Sequence, residues 1–346
     1  MRHPEITQTV AGALPGISKA PWKSPRLEKL RIIPPVALSK MQTRRIGSLG
    51  VSVVGLGCNN FGWRIDAEAS AKVVDAAIES GITFFDTADR YGKGQSEDFL
   101  GRALGPRRDQ IILATKFGME MEKGQQGASP KYIGEAIEAS LHRLKTDRID
   151  LYQVHQPDPK TPIADTLSAL DQLVRAGKVR EIGCSNFSVA QIREAADAAK
   201  DGAHFVSVQN EFSLFHREPE RDGVLAECEA RGMAFLPYFP LASGLLTGKY
   251  RKGQKPPAES RAADGWGPNV FTEKNLAIVE ALIEFAETHN HTILELAFAW
   301  LLSHKAVASV IAGASKPDQV RANTKAANWQ LTSDDLARTD AIMNRE

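Results

Sequence analysis

Short apolar runs alternate with longer amphipathic stretches along the chain from Met41 onward. The runs are rich in β-branched and aromatic residues and recur roughly every thirty residues, the length of one strand, one helix and their connections. Most of them are apolar throughout, which is typical of parallel strands covered on both faces. The pattern predicts eight strands: Val53–Gly57, Ile82–Asp86, Ile111–Lys116, Ile149–His155, Val179–Ser185, Phe205–Gln209, Met233–Tyr238 and Val307–Gly313.

Two of the intervening stretches carry clear helix start signals. Ser129 precedes Pro130, and Thr161 precedes Pro162. In each pair a capping hydroxyl stands before a proline, which is favoured at the first helical position. After the second pair, apolar residues recur every three or four positions over 163–174, so they share the helix face that would lie on the sheet.

The order of the elements predicts an α/β fold. Eight βα units in succession favour a closed (β/α)8 TIM barrel over an open, doubly wound sheet. A short hairpin over Arg45–Val53 precedes the first strand. A long interval after the seventh strand contains a loop rich in Gly, Pro and Arg over 248–268, followed by helical patterns over 272–287 and 292–303. A long loop on a compact barrel is usually functional or mobile.

The first forty residues differ from the rest of the chain. Six prolines interrupt any periodicity there, and seven Lys and Arg residues against two Glu give the segment a charge of +5. Because the whole chain has a net charge of +1, the remainder carries −4. We expect a disordered N-terminal extension over 1–40 and one barrel domain over 41–346.

Composition excludes several classes of protein. The near-neutral charge gives no electrostatic footprint for nucleic acid, and no apolar run approaches the ~20 residues of a membrane helix. Cys58, Cys184 and Cys228 are scattered and lack a CxxC pair, so we expect neither disulfides nor a cysteine–zinc site. Histidines and carboxylates show no metal-ligand spacing, so no metal is expected. We expect a soluble, cytoplasmic protein whose oligomeric state stays open.

The carboxyl ends of parallel barrel strands open on one face, where catalytic groups collect. Consecutive repeats place an acid, a phenol, an amine and an imidazole there: Asp86, Tyr91, Lys116 and His155. Hydride delivery to a carbonyl leaves an alkoxide, which a Tyr91 hydroxyl can protonate if the Lys116 ammonium lowers its pKa. Asp86 would keep that ammonium charged, and a neutral His155 would orient the substrate oxygen. The set suits reduction of a small-molecule carbonyl compound.

With these residues the chain resembles the aldo-keto reductase superfamily, including its branches of channel β subunits and general stress proteins. The resemblance covers the chain from about Met41 to the C-terminus and implies the same four catalytic residues, with Tyr91 as proton donor. Seven segments carry it in the family's order: FFDTADRYG (Phe84–Gly92), ATKFG (Ala114–Gly118), LYQVHQPD (Leu151–Asp158), GCSNF (Gly183–Phe187), VQNEFSL (Val208–Leu214), PYFPLASGLLTGKY (Pro237–Tyr250) and IAGASKPDQVRAN (Ile311–Asn323).

The resemblance also implies a bound nicotinamide cofactor. It assigns the nicotinamide amide to Ser185, Asn186 and Gln209, and the stacked ring to Tyr238. The remaining cofactor contacts implied at the barrel mouth and along the cofactor are Gly57, Cys58, Asp86, Pro240, Leu241, Ser243, Gly244, Lys249, Gly313, Ser315, Lys316, Gln319 and Asn323.

Two features bear on the choice of cofactor. Gly313 and Ser315 stand at the start of the eighth-repeat helix, where free N–H groups and the helix dipole favour an anion. Lys316 then favours the 2′-phosphate of NADP(H) over NAD(H). Many relatives carry a Glu where Ala322 stands, a departure that weakens this preference.

The substrate pocket is less well defined by the pattern. Trp63 and Trp266 lie in loops that would wall it beside Tyr91 and His155, although packing alone explains large aromatics equally well. Asp89, beside the catalytic candidates, fits a solvent-facing turn position.

Two alternatives stay open. The resemblance also covers nicotinamide-bound regulatory subunits with little turnover. Lys116 could instead be the Schiff-base amine of a barrel aldolase, although that interpretation leaves Tyr91 and Gln209 unexplained.

Overall fold

The structure is a computed structural model that describes residues 41–258, 260–265 and 269–344. The predicted extension over 1–40 and the candidate pocket residue Trp266 therefore lie outside the described residues. An antiparallel hairpin opens the described chain, with β1 over Thr43–Ile46 and β2 over Leu49–Ser52. Ile46 and Leu49 are fully buried and pack against barrel residues such as Phe84 and Leu151, so the hairpin closes one end of the barrel.

Eight parallel strands form the barrel, as the pattern predicts. Their order in the sheet is β10, β3, β4, β5, β6, β7, β8, β9. Between β9 and β10 the ring is completed by Phe235, whose N–H donates to Ala306 O (2.7 Å) and whose carbonyl accepts from Ala308 N (3.1 Å). The strands are β3 Val54–Gly57, β4 Phe84–Asp86, β5 Ile112–Phe117, β6 Ile149–Val154, β7 Val179–Ser185, β8 Phe205–Glu211, β9 Ala234–Tyr238 and β10 Val310–Gly313.

Helices surround the barrel, and their apolar faces pack on the outward-facing strand residues. The two helices predicted between the seventh and eighth barrel strands are present. The helices are α1 Ala67–Glu79, α2 Gln95–Leu104, α3 Pro130–Leu144, α4 Ile163–Arg175, α5 Val189–Ala199, α6 Glu218–Arg221, α7 Val224–Arg231, α8 Glu273–Thr288, α9 Ile293–Ser303, α10 Pro317–Ala326 and α11 Ser333–Met343.

The two predicted helix caps differ in outcome. Ser129 caps α3 by accepting a hydrogen bond from Tyr132 N (3.3 Å), with Pro130 at the first position, as predicted. The prediction for Thr161 is wrong: Pro162 itself occupies the cap position of α4, and the Thr161 hydroxyl donates to Asp158 Oδ2 (2.7 Å). Thr161 belongs to the preceding loop, where its hydroxyl is held by the Asp158 carboxylate, and the first helical hydrogen bonds of α4 go to the carbonyl of Pro162.

Two helix glycines allow a direct test of the packing around the barrel. Gly101 lies in α2, and a Cβ there would stand 2.6 Å from the backbone carbonyl of Leu144. Gly101→Ala should therefore destabilise the protein by about 1–3 kcal/mol, because backbone cannot yield as a side chain can. Gly134 in α3 is exposed and has nothing within 4 Å of its Cβ position. Gly134→Ala should stabilise by about 0.5–1 kcal/mol. Urea unfolding of both variants measures the pair, and equal effects would contradict the packing argument.

Candidate active site

The carboxyl ends of the barrel strands bring the predicted catalytic side chains to one mouth. Asp86 is the last residue of β4, Lys116 lies near the end of β5, and His155 directly follows β6. Tyr91 begins a short 3₁₀ turn over Tyr91–Gly94 after β4. Asp86, Lys116 and His155 lie at or just beyond the carboxyl ends of strands that are almost wholly buried, so the strand pattern indicates where they meet.

The four side chains form one connected group. Lys116 Nζ donates to Asp86 Oδ2 (2.6 Å), to Thr87 O (3.0 Å) and to Tyr91 Oη (3.3 Å). The ring of His155 meets that of Tyr91 edge to face, with centroids 5.8 Å apart. Lys116 is fully buried and Asp86 nearly so. One ammonium thus bridges a carboxylate and a phenol in a dry environment, where electrostatic interactions are strong.

Burial and neighbouring charge fix the protonation states. Burial by itself would lower the pKa of Lys116. The Asp86 carboxylate and Tyr91 outweigh burial and raise the pKa above its ordinary value, so the amine stays charged. Burial raises the pKa of Tyr91 above its usual value, and the Lys116 ammonium offsets part of that rise. The predicted lowering by Lys116 is therefore present, but burial exceeds it. Burial, with the charges of Lys116 and Arg90, lowers the pKa of His155 to about 3, so its imidazole is neutral.

Two glutamines hold Asp86 from inside the barrel. Gln153 Nε2 donates to Asp86 Oδ1 (3.2 Å), and Gln209 Nε2 donates to the same oxygen (3.0 Å). Both amides are buried. Gln153 was not among the residues predicted from the sequence. The signal was an amide inside β6, a mostly apolar strand that also contains Asp150, because a buried polar group requires a partner.

A second hydrogen-bond network follows β7. Ser185 Oγ donates to Gln209 O (2.7 Å), and Asn186 Nδ2 donates to His155 O (3.0 Å). Tyr238 Oη donates to Asn186 Oδ1 (2.9 Å). Asn186 has φ +62°, a conformation that asparagine tolerates better than most residues. The network links the ends of β6, β7, β8 and β9 and presents amide and hydroxyl groups at the mouth.

A cavity of about 620 Å³ opens over these networks. Tyr91 and His155 line it, together with the following predicted cofactor residues: Gly57, Asp86, Ser185, Asn186, Gln209, Tyr238, Pro240, Leu241, Ser243, Gly244, Lys249, Gly313, Ser315, Gln319 and Asn323. Of the predicted cofactor and pocket residues that the structure describes, three are not part of its lining. Cys58 is buried in the hydrophobic core, Lys316 stands at the cap of α10, and Trp63 is 51% exposed on the loop after β3.

The cavity is also lined by residues that the sequence did not predict. Asn60 and Arg64 come from the loop after β3, Met119 from the loop after β5, and Phe239 and Arg261 from the segment after β9. The long loop reaches across the mouth, since Arg64 Nη2 donates to Asp264 Oδ2 (2.5 Å). The sequence does show a long loop that contains arginine, but no spacing rule predicts which of its residues faces the cavity.

Metal and membrane features are absent from the part of the chain that the structure describes. It contains no group of three or more His, Cys, Asp or Glu side chains placed to hold a metal ion. None of its helices has the length and apolar character needed to span a bilayer.

Comparisons with known proteins agree with this geometry. A profile of the Aldo/keto reductase family matches residues 53–344. The chain is 38% identical over 274 residues to the aldo-keto reductase yakc of Schizosaccharomyces pombe, whose name specifies NADP(+), covering 75% of this chain and 79% of that protein. It is 33% identical over 298 residues to a probable voltage-gated potassium channel subunit beta of Arabidopsis thaliana, covering 83% and 91%.

A solved structure agrees as well. The holo form of aldo-keto reductase AKR11C1 from Bacillus halodurans superposes with a TM-score of 0.73 at 32% identity, covering 87% of this chain and 96% of that one.

Proposed function

Because this chain belongs to the aldo/keto reductase family, and is thereby an oxidoreductase, we propose that it is an NADP(H)-dependent enzyme that reduces aldehydes or ketones to alcohols, or catalyses the reverse reaction. One observation carries the proposal: Lys116 Nζ contacts both Asp86 Oδ2 and Tyr91 Oη inside the mouth of the barrel. That contact makes the Tyr91 hydroxyl the best proton donor for a carbonyl oxygen placed there. We also propose a cytoplasmic location, which suits the three buried free thiols of the described chain.

The chain's own residues supply the proton and the electrostatic setting. When bound, a reduced nicotinamide supplies the hydride. Tyr91 holds the proton that the developing alkoxide needs, and Lys116 stabilises the phenolate left behind. His155 Nδ1 is buried without a hydrogen-bond partner among the described residues. As a neutral imidazole it would hydrogen-bond the substrate oxygen and hold the carbonyl against Tyr91.

The lining of the cavity fits a dinucleotide. Asn60 Oδ1 is a buried oxygen without a partner in the described chain, and it lines the cavity. Gly313 forms part of a narrow cradle, since a Cβ there would stand 2.9 Å from Asn59 Oδ1. Lys249 and Arg261 add positive charge to the lining, as a pyrophosphate requires. We assign the nicotinamide end to Ser185, Asn186, Gln209 and Tyr238.

Cofactor consumption tests the proposal. Purified protein should oxidise NADPH in the presence of a reactive aromatic aldehyde, which is seen as a fall in the absorbance of the reduced nicotinamide. Turnover with NADH alone would still support a reductase, but it would refute the preference for NADP(H). Absence of turnover with either cofactor would refute the proposed function.

Cofactor choice is tested at the cap of α10. Lys316→Ala should raise the KM for NADPH by about tenfold and leave that for NADH nearly unchanged, because a lysine charge opposite a 2′-phosphate acts only on NADPH. Lys325→Ala, in the last turn of the same helix, is the matched control and should change neither value. An equal rise for both cofactors would place Lys316 away from the 2′-phosphate.

The similarity to a channel β subunit supports a second candidate, a nicotinamide-bound regulatory module. That function predicts protection against thermal unfolding by NADPH without hydride transfer to an added aldehyde. The aldolase alternative is disfavoured by charge: a Schiff-base amine must lose its proton, whereas Asp86 raises the pKa of Lys116.

A further inference from the structure

Asp89 is buried, contrary to the sequence-based expectation of a solvent-facing turn residue. The residue is only 2% exposed. It stands between two residues of the proposed catalytic group, Asp86 and Tyr91, in the loop that joins them. The Asp89 N–H donates to Lys116 O (3.1 Å), so the loop is attached to the strand that carries the ammonium.

The surroundings of the Asp89 carboxyl group contain too little positive charge for two carboxylates. Glu97 of α2 is fully buried, and it accepts hydrogen bonds from Arg143 Nε (2.7 Å) and Thr115 Oγ1 (2.6 Å). Asp89 accepts a hydrogen bond from the backbone N–H of Arg90, but its Oδ1 is buried without any partner among the described residues. Arg143 thus donates to Glu97 and leaves Asp89 Oδ1 without a donor.

Four elements near Asp89 contribute titratable or charged groups. Glu97 comes from α2, Arg143 and Tyr132 from α3, Lys116 from β5 and Tyr152 from β6. The Tyr152 hydroxyl is also buried without a partner in the described chain. A carboxylate oxygen that lacks a donor is costly to bury in its charged form, and burying the neutral acid costs much less.

We propose that Asp89 is a positioning residue whose neutral carboxyl group keeps the Asp86–Tyr91 loop seated on β5, and whose ionisation displaces Tyr91 from Lys116 and slows turnover. This inference rests on the proposed reductase function. The ionised form would set two carboxylates against one guanidinium, and their repulsion acts on the loop that carries Tyr91.

The titration of Asp89 falls where Tyr91, Lys116 and His155 do not titrate. Burial and the Glu97 charge raise the pKa of Asp89 to about 7, although Arg90 N–H, Arg143 and Lys116 oppose them. His155 has a pKa of about 3, and those of Tyr91 and Lys116 lie above their ordinary values of 10.0 and 10.5. A step in turnover near neutral pH would thus come from outside these three groups.

The test compares Asp89→Asn with the wild-type chain. We expect wild-type kcat to fall about fivefold between pH 6 and pH 8.5, while Asp89→Asn, which cannot ionise, keeps the value of the wild type at pH 6 across the range. Saturating NADPH and an uncharged aldehyde keep the ionisation of free cofactor and substrate out of kcat. The exposed Asp201 provides the control, and Asp201→Asn should follow the wild-type profile. Superimposable profiles for Asp89→Asn and wild type would overturn the proposal.

A second readout is independent of turnover. Because the folded pKa of Asp89 lies above the ordinary aspartate value of about 3.9, the folded wild type loses stability as pH rises from that value to about 7. Asp89→Asn removes this loss, so its unfolding midpoint in urea should exceed that of wild type by more at pH 8 than at pH 5. If the difference between the two midpoints were the same at both pH values, or larger at pH 5, Asp89 would not be a neutral acid in the folded protein, even if the enzyme were active. A wild type without turnover would instead refute the proposed function, and the positioning role with it.

Discussion

Replacing Tyr91 with phenylalanine is expected to lower kcat for aldehyde reduction by about 10²–10⁴-fold, the range typical of losing a general acid. The change removes only the hydroxyl that contacts Lys116 Nζ at 3.3 Å. The phenyl ring of the variant would still fill the space beside His155, whose ring centroid lies 5.8 Å from that of Tyr91. Hydride delivery would then lack a positioned proton donor. His155 cannot replace Tyr91, because it is a neutral imidazole and not the acidic imidazolium.

Cofactor binding provides the internal control for this variant. Tyr91 lines the cavity, but the residues assigned to the nicotinamide come from other strands, at or near the ends of β7, β8 and β9. Quenching of tryptophan fluorescence by NADPH should therefore give the same Kd for variant and wild type. Turnover within about tenfold of wild type would show that another group supplies the proton. Loss of binding together with turnover would show that Tyr91 holds the cofactor.

The barrel itself could be predicted from the sequence for a simple physical reason. Parallel strands covered on both faces are largely apolar, and the predicted bounds of the fifth run, Val179–Ser185, agree with β7 at both ends although Arg180 and Glu181 interrupt it. The eighth run was predicted from Val307, but β10 begins at Val310, because residues 306–308 bond to Phe235 of β9 as an isolated bridge. The apolar pattern gives burial and does not say which neighbour a residue pairs with.

Residues that serve the site indirectly could not be placed from the sequence. Asp89 looked like a turn residue because nothing in its neighbours shows that Glu97 and Arg143, from two different helices, cover it. Gln153 acts through Asp86, and that contact depends on the barrel closing. The side chains that end strands could be predicted, since the topology fixes the face on which they meet. Contacts made around the ring, and the inward turn of Arg261, depend on tertiary packing.

The buried ion pair leads to the second large effect. Lys116→Met should lower kcat by about 10³-fold, because the charge that stabilises the Tyr91 phenolate is lost. It should also reduce the free energy of unfolding by about 3–5 kcal/mol at neutral pH, because Asp86 remains as an uncompensated buried charge. Its two glutamine partners are donors without charge and offset only part of this cost. Lys131→Met, at an exposed site of α3, is the matched control and should change neither quantity.

Adding Asp86→Asn to Lys116→Met separates the effect of the ion pair on stability from its effect on turnover. Removing both charges in the double variant Asp86→Asn with Lys116→Met should recover part of the stability that Lys116→Met loses, since no buried charge is left without a partner. Turnover should not recover, because the ammonium beside Tyr91 is absent in both variants. A double variant no more stable than Lys116→Met would show that the 2.6 Å contact between Lys116 and Asp86 is not the source of the destabilisation. Recovered turnover would mean that Tyr91 donates its proton without help from Lys116.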